Sequence, residues 1–513
     1  MLTTLNPVRK TAWLLFFALS GCYLALAPGT IAGRGYVPED LNAGLGFLSI
    51  FNAWVKGRPI PQVAWTRHGP LPIFFDLPFI KLGKLFITPD FVLSLSALLF
   101  TAALMTVVYL WLRKLCTPGM SLLLTIIGAF GTMLWPYAYI GLETKQSFFL
   151  MLAGYLGLAR GKIRAWRPLL FFSLIAGLAV SVKATGIVLG PAILYILYVQ
   201  FKDDWRTEWK RISASLVTMG GIWALSVIGW NLFWGPKGGG PQVLVTQWTT
   251  DSVFQLFINA IGLFGSPGKG LFVFAPVVLL SIYAVPRALR EHREIVVFGL
   301  LVTLCMVAFL SILVVVADEL WGPRFLHVVI APLLIVVGAA CPRFEWRTTV
   351  PLLALGLFGI ASSFLGAFYY YGARGWAAAN AGQNTLEWYA GDRVWNEISF
   401  DARLFSVWLK GGTEPVPWTP QHFWAWTAPA DAPPWKTLNL RDYADPQSFL
   451  LYYWDKPLSG SDTVIFRICW ISLFVGPLLL LWVLIRTIRA NTPTAVSTAP
   501  IWTLKGRKAS RTS

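Results

Sequence analysis

The fold is decided by uncharged apolar stretches such as residues 296–316, which read VVFGLLVTLCMVAFLSILVVV. About 20 mostly apolar residues suffice for a helix to cross the hydrocarbon core of a bilayer. Eleven further apolar segments lie on either side of this stretch, so we predict twelve transmembrane helices. The twelve segments are about 12–30, 90–112, 120–137, 142–159, 168–182, 185–201, 212–234, 270–286, 296–316, 325–341, 349–371 and 463–485.

The composition of the whole chain agrees with this prediction. Of its 513 residues, 56% are hydrophobic and 13% are charged, whereas soluble proteins average roughly 25% charged residues. This excludes an ordinary cytosolic enzyme, a disordered chain and a nucleic-acid-binding domain. Strands of a membrane barrel would alternate over about 10 residues, and these runs do not. We therefore predict an all-α polytopic membrane protein.

The distribution of the net charge of +18 along the chain indicates which loops lie on which side of the membrane. The amino terminus, every second loop and the tail hold 23 of the 42 basic residues and six of the 24 acidic ones, which leaves 19 basic and 18 acidic residues on the opposite side. Basic loops stay in the cytoplasm. We therefore expect a plasma (inner) membrane protein with both termini cytoplasmic and any active site extracytoplasmic, and nucleic acid is not needed as a partner.

The predicted organisation has four parts. Residues 1–371 form a transmembrane module with a first outer loop at 31–89. Residues 372–462 form a second, Trp-rich outer loop, 463–490 the last transmembrane helix, and 491–513 a disordered basic tail. Residues 12–30 also resemble a cleaved signal peptide, but we favour a retained anchor.

The second outer loop contains nine tryptophans together with several carboxylates. Aromatic rings flanked by acids suit sugar binding, because sugar C–H faces stack on rings while acids accept bonds from hydroxyls. An interfacial aromatic cover is an equally good interpretation.

The first outer loop contains an apolar stripe at helical spacing, which predicts an amphipathic helix on the membrane surface. The stripe consists of Leu41, Leu45, Leu48, Phe51 and Val55. Glu39 and Asp40 precede it, so they either cap the helix or supply a general base. His68 precedes the helix start at Pro70. It is a candidate to line the cavity and bind an acceptor, a phosphate or a metal, or it is an ordinary surface histidine.

Ionisable side chains near membrane depth are functional candidates. Glu143 follows an aromatic segment at the outer end of a predicted span, and Lys183 lies between two apolar runs. Lys183 is a candidate phosphate ligand, or a lysine that snorkels to the membrane surface.

The densest polar cluster precedes the apolar run at 325–341. It contains Asp318, Glu319, Arg324 and His327. Gly322-Pro323 predicts a helix start, and Arg324 in the first turn is a candidate ligand for a lipid phosphate. The alternative is a salt bridge from Asp318 or Glu319 to Arg324.

Two glycine-rich pieces, at 235–240 and 265–270, do not fit the phosphate-loop pattern GxxxxGK[ST]. We expect both to be flexible loops, one of them a candidate lid.

Several short motifs, taken in order, resemble the GT-C superfamily of polytopic glycosyltransferases, in the branch of protein O-mannosyltransferases and lipid A aminoarabinose transferases. The resemblance covers roughly residues 5–345. The motifs are Glu39-Asp40, His68-Gly69-Pro70-Leu71, Trp135-Pro136-Tyr137-Ala138 leading to Glu143, Ser266 to Pro276, and Trp321-Gly322-Pro323-Arg324-Phe325-Leu326.

The resemblance implies a polyprenyl-phosphate sugar donor, an acceptor on a lipid, glycan or protein, and inverting transfer at the outer face. It also implies a first-loop carboxylate as base; the family's Asp-Glu order is reversed here, and we favour Asp40 over Glu39. Gly69 replaces a family proline, which leaves the role of His68 open. We expect no essential cofactor, although a divalent metal is used by some members.

A second hypothesis is a lipid-linked sugar flippase or a solute transporter, which would place polar groups along a path through the membrane. A third is a non-catalytic scaffold. The concentration of polar residues at the outer edge favours the enzyme.

Overall fold

The computed structural model describes residues 6–27, 55–58, 70–83, 89–139, 141–161, 163–234, 253–266, 269–312, 323–369, 397–411, 415–416, 438–439, 458 and 460–491. Within these ranges the chain is almost entirely helical, which confirms the predicted class of secondary structure.

Sixteen α-helices and one short pair of strands lie in the described residues. The helices are α1 (Pro7–Ala25), α2 (Pro70–Gly83), α3 (Pro89–Leu112), α4 (Pro118–Phe130), α5 (Gly141–Gly154), α6 (Trp166–Ser181), α7 (Gly190–Phe201), α8 (Trp209–Trp234), α9 (Val253–Gly265), α10 (Leu271–Phe274), α11 (Leu280–Glu291), α12 (Arg293–Ile312), α13 (His327–Ala340), α14 (Trp346–Tyr369), α15 (Glu397–Lys410) and α16 (Ser461–Asn491). Strands β1 (Pro415–Val416) and β2 (Leu438–Asn439) pair antiparallel.

Shorter helical turns connect several of these helices. They are the 3₁₀ turns Pro136–Tyr139, Ala184–Leu189, Pro276–Leu279 and Arg324–Leu326, and the π-helical turn Tyr155–Ala159.

Proline fixes where many of the helices begin. Its missing N–H costs nothing in the first turn, and its φ already suits a helix. Helices α1 to α4 all begin at a proline, and α2 begins at Pro70, as the sequence predicted. At α1, the side chain of Asn6 accepts a 3.0 Å hydrogen bond from the Val8 amide, which satisfies one otherwise unpaired donor.

Five helices are long and apolar enough to cross a membrane by length and composition. They are Ser94–Leu112, Trp209–Ile228, Arg293–Ile312, Trp346–Tyr369 and Thr463–Ile488. Five shorter apolar helices of 10–17 residues also occur in the described part. One of them, Leu256–Gly265, was missed in the sequence. The count of twelve spans stays a prediction.

The expected single span at 270–286 is wrong. The chain forms the four-residue helix α10, then a 3₁₀ turn from Pro276, and only then α11. Pro276 lacks the N–H that a continuous helix would need, and Ala275 before it leaves the helical region with φ −144° and ψ 63°. Apolar composition alone did not reveal this break.

The centre of the bundle is buried, and its exterior is apolar. Every residue of α13 is buried, and α13 packs against helices α3, α4, α5, α11 and α12. By contrast, α8 and α16 expose Val217, Leu225 and Leu478 at 73%, 70% and 63%. Large apolar side chains exposed along a helix suit contact with lipid chains.

Helices α1 and α16 approach closely at paired glycines. A Cβ added to Gly21 would lie 2.9 Å from the Cα of Gly476. Small residues allow membrane helices to pack backbone against backbone, so this contact joins the first described helix to the last.

Candidate functional site

Glu143 is the centre of the candidate site. It lies in the first turn of α5 and is 2% exposed. Its Oε1 atom accepts from Lys183 Nζ at 2.5 Å and from Arg324 Nε at 2.8 Å. A buried carboxylate is costly unless it is paired, and here two cations from distant parts of the chain share one oxygen. Three predicted site residues are therefore in direct contact.

Lys183 reaches Glu143 because the helix ends just before it. Helix α6 stops at Ser181, and Lys183 has extended backbone, with φ −134° and ψ 142°, before the next 3₁₀ turn. Gly186 closes this turn so tightly that an added Cβ would lie 2.2 Å from the Val180 carbonyl oxygen. Lys183 is 5% exposed, so the snorkelling interpretation is wrong.

Arg324 lies in the 3₁₀ turn that precedes α13. The ring of its neighbour Phe325 is close to both cations: the ring centroid is 4.3 Å from Lys183 Nζ and 5.2 Å from Arg324 Cζ. The face of an aromatic ring attracts cations, so Phe325 keeps both side chains at the carboxylate. The Arg324 side chain is 18% exposed, against 3% for that of Glu143. The open side of the site is therefore at Arg324.

His327 extends the polar network along α5. Its Nδ1 lies 2.8 Å from Ser147 Oγ, and Ser147 donates at 2.8 Å to the Glu143 carbonyl oxygen. A serine hydroxyl has one proton, so Nδ1 of His327 is the donor to Ser147. The ring also meets Tyr137 edge to face at 5.4 Å. Arg324 and His327, one turn apart, thus contact Glu143 and Ser147, one turn apart on α5.

Three buried polar atoms at this site lack a hydrogen-bond partner within the described residues. They are Glu143 Oε2, Gln146 Nε2 and His327 Nε2. Buried polar groups are rarely left unpaired. Beside the two cations on Glu143, these atoms suit a polar ligand.

The other predicted site residues fall outside the described ranges. These are Glu39, Asp40, His68, Asp318 and Glu319, and their predicted roles stay predictions. The salt bridge from Asp318 or Glu319 to Arg324 also stays a prediction; among the described residues, Arg324 contacts the carboxylate of Glu143.

The sequence analysis missed a second buried ion pair beside the site. Lys145 Nζ contacts both carboxylate oxygens of Asp76 at 2.6 Å. Lys145 lies two residues after Glu143, and the signal was present, since ionisable residues in apolar surroundings are candidates by default. Asp76, between Phe75 and Leu77, carried the same signal, but the sequence did not show that the two pair, because they lie 69 residues apart.

The piece at 265–270, expected to be a flexible loop, lies partly in the described residues. Ser266 accepts from the Gly270 amide at 2.7 Å, and Lys269 is fully buried. A Cβ on Gly270 would lie 2.5 Å from the Ser266 carbonyl oxygen. Position 270 therefore requires glycine, while the flexibility of the piece stays a prediction. The piece at 235–240 and the Trp-rich loop, apart from α15 and the strands, lie outside the described ranges.

Among the described residues, no group of three or more His, Cys, Asp and Glu side chains could hold a metal ion. Lys183 and Arg324, the described side chains that form ion pairs with Glu143, carry no acceptor atoms with which to ligate a metal.

No family model and no curated protein matches the chain. Two solved structures are similar to it. One is the crystal structure of ArnT from Cupriavidus metallidurans bound to undecaprenyl phosphate, at 14% identity and TM-score 0.47, covering 93% of this chain and 78% of that one. The other is the same protein in the apo state, at 15% identity and TM-score 0.46, covering 78% and 79%. A likeness at this level decides neither family nor function.

Proposed function

We propose that this protein is a membrane glycosyltransferase that moves a sugar from a polyprenyl-phosphate donor to an acceptor hydroxyl at the outer face of the membrane. The observation that carries this proposal is the convergence of Lys183 and Arg324 on the buried Glu143. Lysine and arginine side chains make strong, charge-assisted hydrogen bonds to phosphate oxygens. The motif resemblance to the GT-C superfamily supports the same reaction class.

In the proposed reaction, the first-loop carboxylate of Asp40, or of Glu39, accepts the proton of the acceptor hydroxyl. The hydroxyl oxygen attacks the anomeric carbon as the bond from that carbon to the phosphate oxygen breaks. The polyprenyl phosphate leaves with the bonding electrons, and the anomeric configuration inverts. The acceptor is a lipid, a glycan or a protein.

Lys183 and Arg324 would stabilise the leaving phosphate, where negative charge develops. Glu143 would hold the two cations in place before the donor arrives. His327, His68, Asp318 and Glu319 would line the cavity, and the Trp-rich loop 372–462 would cover it or hold the acceptor. The proposal requires no metal.

The test is sugar transfer by the full-length protein in proteoliposomes, with Asp40→Asn and Glu39→Gln measured beside the wild type. Removing a general base lowers the rate by about 10²- to 10⁴-fold, and we expect this for Asp40→Asn. Asp203→Asn, an exposed acid on a loop predicted to be cytoplasmic, is the control and should keep full activity.

Full activity in both first-loop variants would contradict the mechanism. Uptake of a lipid-linked sugar or a solute into sealed vesicles, without any transfer product, would favour the flippase or transporter hypothesis instead.

A further inference from the structure

The Asp76–Lys145 ion pair is one of the most deeply buried charged contacts in the described part of the chain. Lys145 is fully buried and Asp76 is 4% exposed. Both oxygens of Asp76 lie 2.6 Å from Lys145 Nζ. Removing two charges from solvent is expensive, and an apolar pair of the same size is often at least as stable. Stability alone is therefore a poor reason for this pair.

A cluster of aromatic rings lies beside the pair. Lys145 Nζ lies 6.0 Å from the centroid of the Phe100 ring. That ring packs against Phe75, Phe148 and Phe149 at centroid distances of 5.5, 5.4 and 5.8 Å. In such low-dielectric surroundings a satisfied ion pair is strong and directional, and a half-satisfied one is costly. The geometry between the two helices is therefore tightly constrained.

The pair joins two elements that matter to the candidate site. Asp76 belongs to α2, which follows the first outer loop, and Lys145 belongs to α5. Residues two apart on a helix point about 200° away from each other, so Glu143 and Lys145 face opposite sides of the first turn of α5. That turn is held by charge on both sides: by Asp76 on one, by Lys183 and Arg324 on the other.

We propose that Asp76 and Lys145 are positioning residues: their ion pair fixes α2 against α5 and thereby sets the rotation and height of Glu143 relative to Lys183 and Arg324. An apolar contact at the same place would allow α5 to rotate or slide, because hydrophobic contacts have no preferred direction. The measurement of sugar transfer that tests this proposal rests on the proposed function. A misplacement of about 1 Å can cost 10²-fold in rate.

The first experiment measures kcat and KM for a polyprenyl-phosphate sugar, and the unfolding temperature, for full-length variants in nanodiscs. The variants are Asp76→Asn, Asp76→Glu, and the double variant Asp76→Asn with Lys145→Met. Arg164→Gln, which breaks a half-exposed ion pair with Asp204, is the matched control.

We expect Asp76→Asn to lower kcat about tenfold with little change in KM, and Asp76→Glu to restore most of the loss. The double variant should regain the unfolding temperature, since no charge is left unpaired, but not kcat. A kcat loss of less than threefold in Asp76→Asn, or recovery of both quantities in the double variant, would overturn the proposal. So would failure of both Asn-containing variants to fold, because the pair would then serve folding alone.

A second readout does not depend on transfer. Spin labels at Leu82 on α2 and at Leu174 on α6, which packs against α5, are 43% and 44% exposed. In a background with the five native cysteines replaced, they report the distance between α2 and the packed pair of α5 and α6. We expect one narrow distance distribution in the parent and a broad or shifted one in Asp76→Asn, with Arg164→Gln unchanged. An unchanged distance distribution in Asp76→Asn would contradict the proposal. If the wild type transfers no sugar but the distribution broadens, the proposed function fails and the positioning role stands.

Discussion

The buried charged side chains on the two sides of the start of α5 are paired in different ways. On one side, Asp76 and Lys145 balance each other, and both carboxylate oxygens are used. On the other, one oxygen of Glu143 serves two cations while its second oxygen has no hydrogen-bond partner among the described residues. The two clusters thus differ in how completely their carboxylate oxygens are paired.

The difference indicates which side is available to a ligand. The Asp76–Lys145 pair uses both carboxylate oxygens, and it suits a role in holding helices. The Glu143 cluster keeps polar atoms without a partner among the described residues, and its arginine is partly exposed. The unpaired polar atoms, rather than burial, therefore distinguish the candidate site from its support, and the following variants test that distinction.

The largest effect is expected from Glu143→Gln. This change keeps the size of the side chain but leaves Lys183 and Arg324 without their shared carboxylate, so the cations move apart. We expect kcat to fall about 100-fold, while KM for the donor does not rise, because the local charge becomes more positive. Steady-state kinetics in proteoliposomes check this. A rise in KM with an unchanged kcat would mean that Glu143 binds substrate directly.

Lys183→Met should have the next largest effect. It removes one cation from the proposed phosphate site and leaves the Arg324–Glu143 pair intact. A hydrogen bond to a charged group contributes about 2 kcal/mol, so kcat/KM should fall about 30-fold. Binding of the polyprenyl phosphate alone, measured by calorimetry in detergent, should weaken in parallel. Unweakened binding of this probe would remove Lys183 from the phosphate site.

Arg324→Lys should be milder, because the positive charge remains. Lysine lacks the planar fork of arginine and the Nε atom that contacts Glu143. We expect a loss of about fivefold in kcat/KM, equivalent to about 1 kcal/mol, and a larger loss in Arg324→Gln. Equal activity of the lysine and glutamine variants would show that the charge of Arg324 is not used.

Arg164→Gln should have the smallest effect. Its partner Asp204 is half-exposed, and exposed ion pairs contribute about 0–1 kcal/mol. Transfer activity should stay within twofold of the wild type, and the unfolding temperature should barely change. A loss as large as that of Lys183→Met would mean that breaking any ion pair impairs this protein, which would weaken the comparison between the two sides of α5.

Much of the local structure was predictable from the sequence. Apolar runs predicted where helices lie, and Pro70 predicted where a helix begins, because both are local properties. The break at Pro276 and the tight turn at Gly270 were missed. Each depends on backbone geometry that composition does not record.

The candidate site was predictable only as a set of residue types. Glu143, Lys183, Arg324 and His327 stood out because ionisable groups are rare in apolar surroundings. Their partners did not: Glu143 meets Arg324 across 181 residues, and His327 meets Ser147 across 180. The pairing of Asp76 went unnoticed because its partner is brought to it only by the packing of α2 on α5.

The sequence by itself determined the helical class, the placement of many helix starts and the charge asymmetry of the loops, since these follow from composition and short-range periodicity. Only the tertiary structure decided that two cations share one oxygen of Glu143 and that Lys145 faces away from them to Asp76. The physical reason is that charge pairing in a low-dielectric bundle depends on distances between helices, which the packing of the whole chain sets.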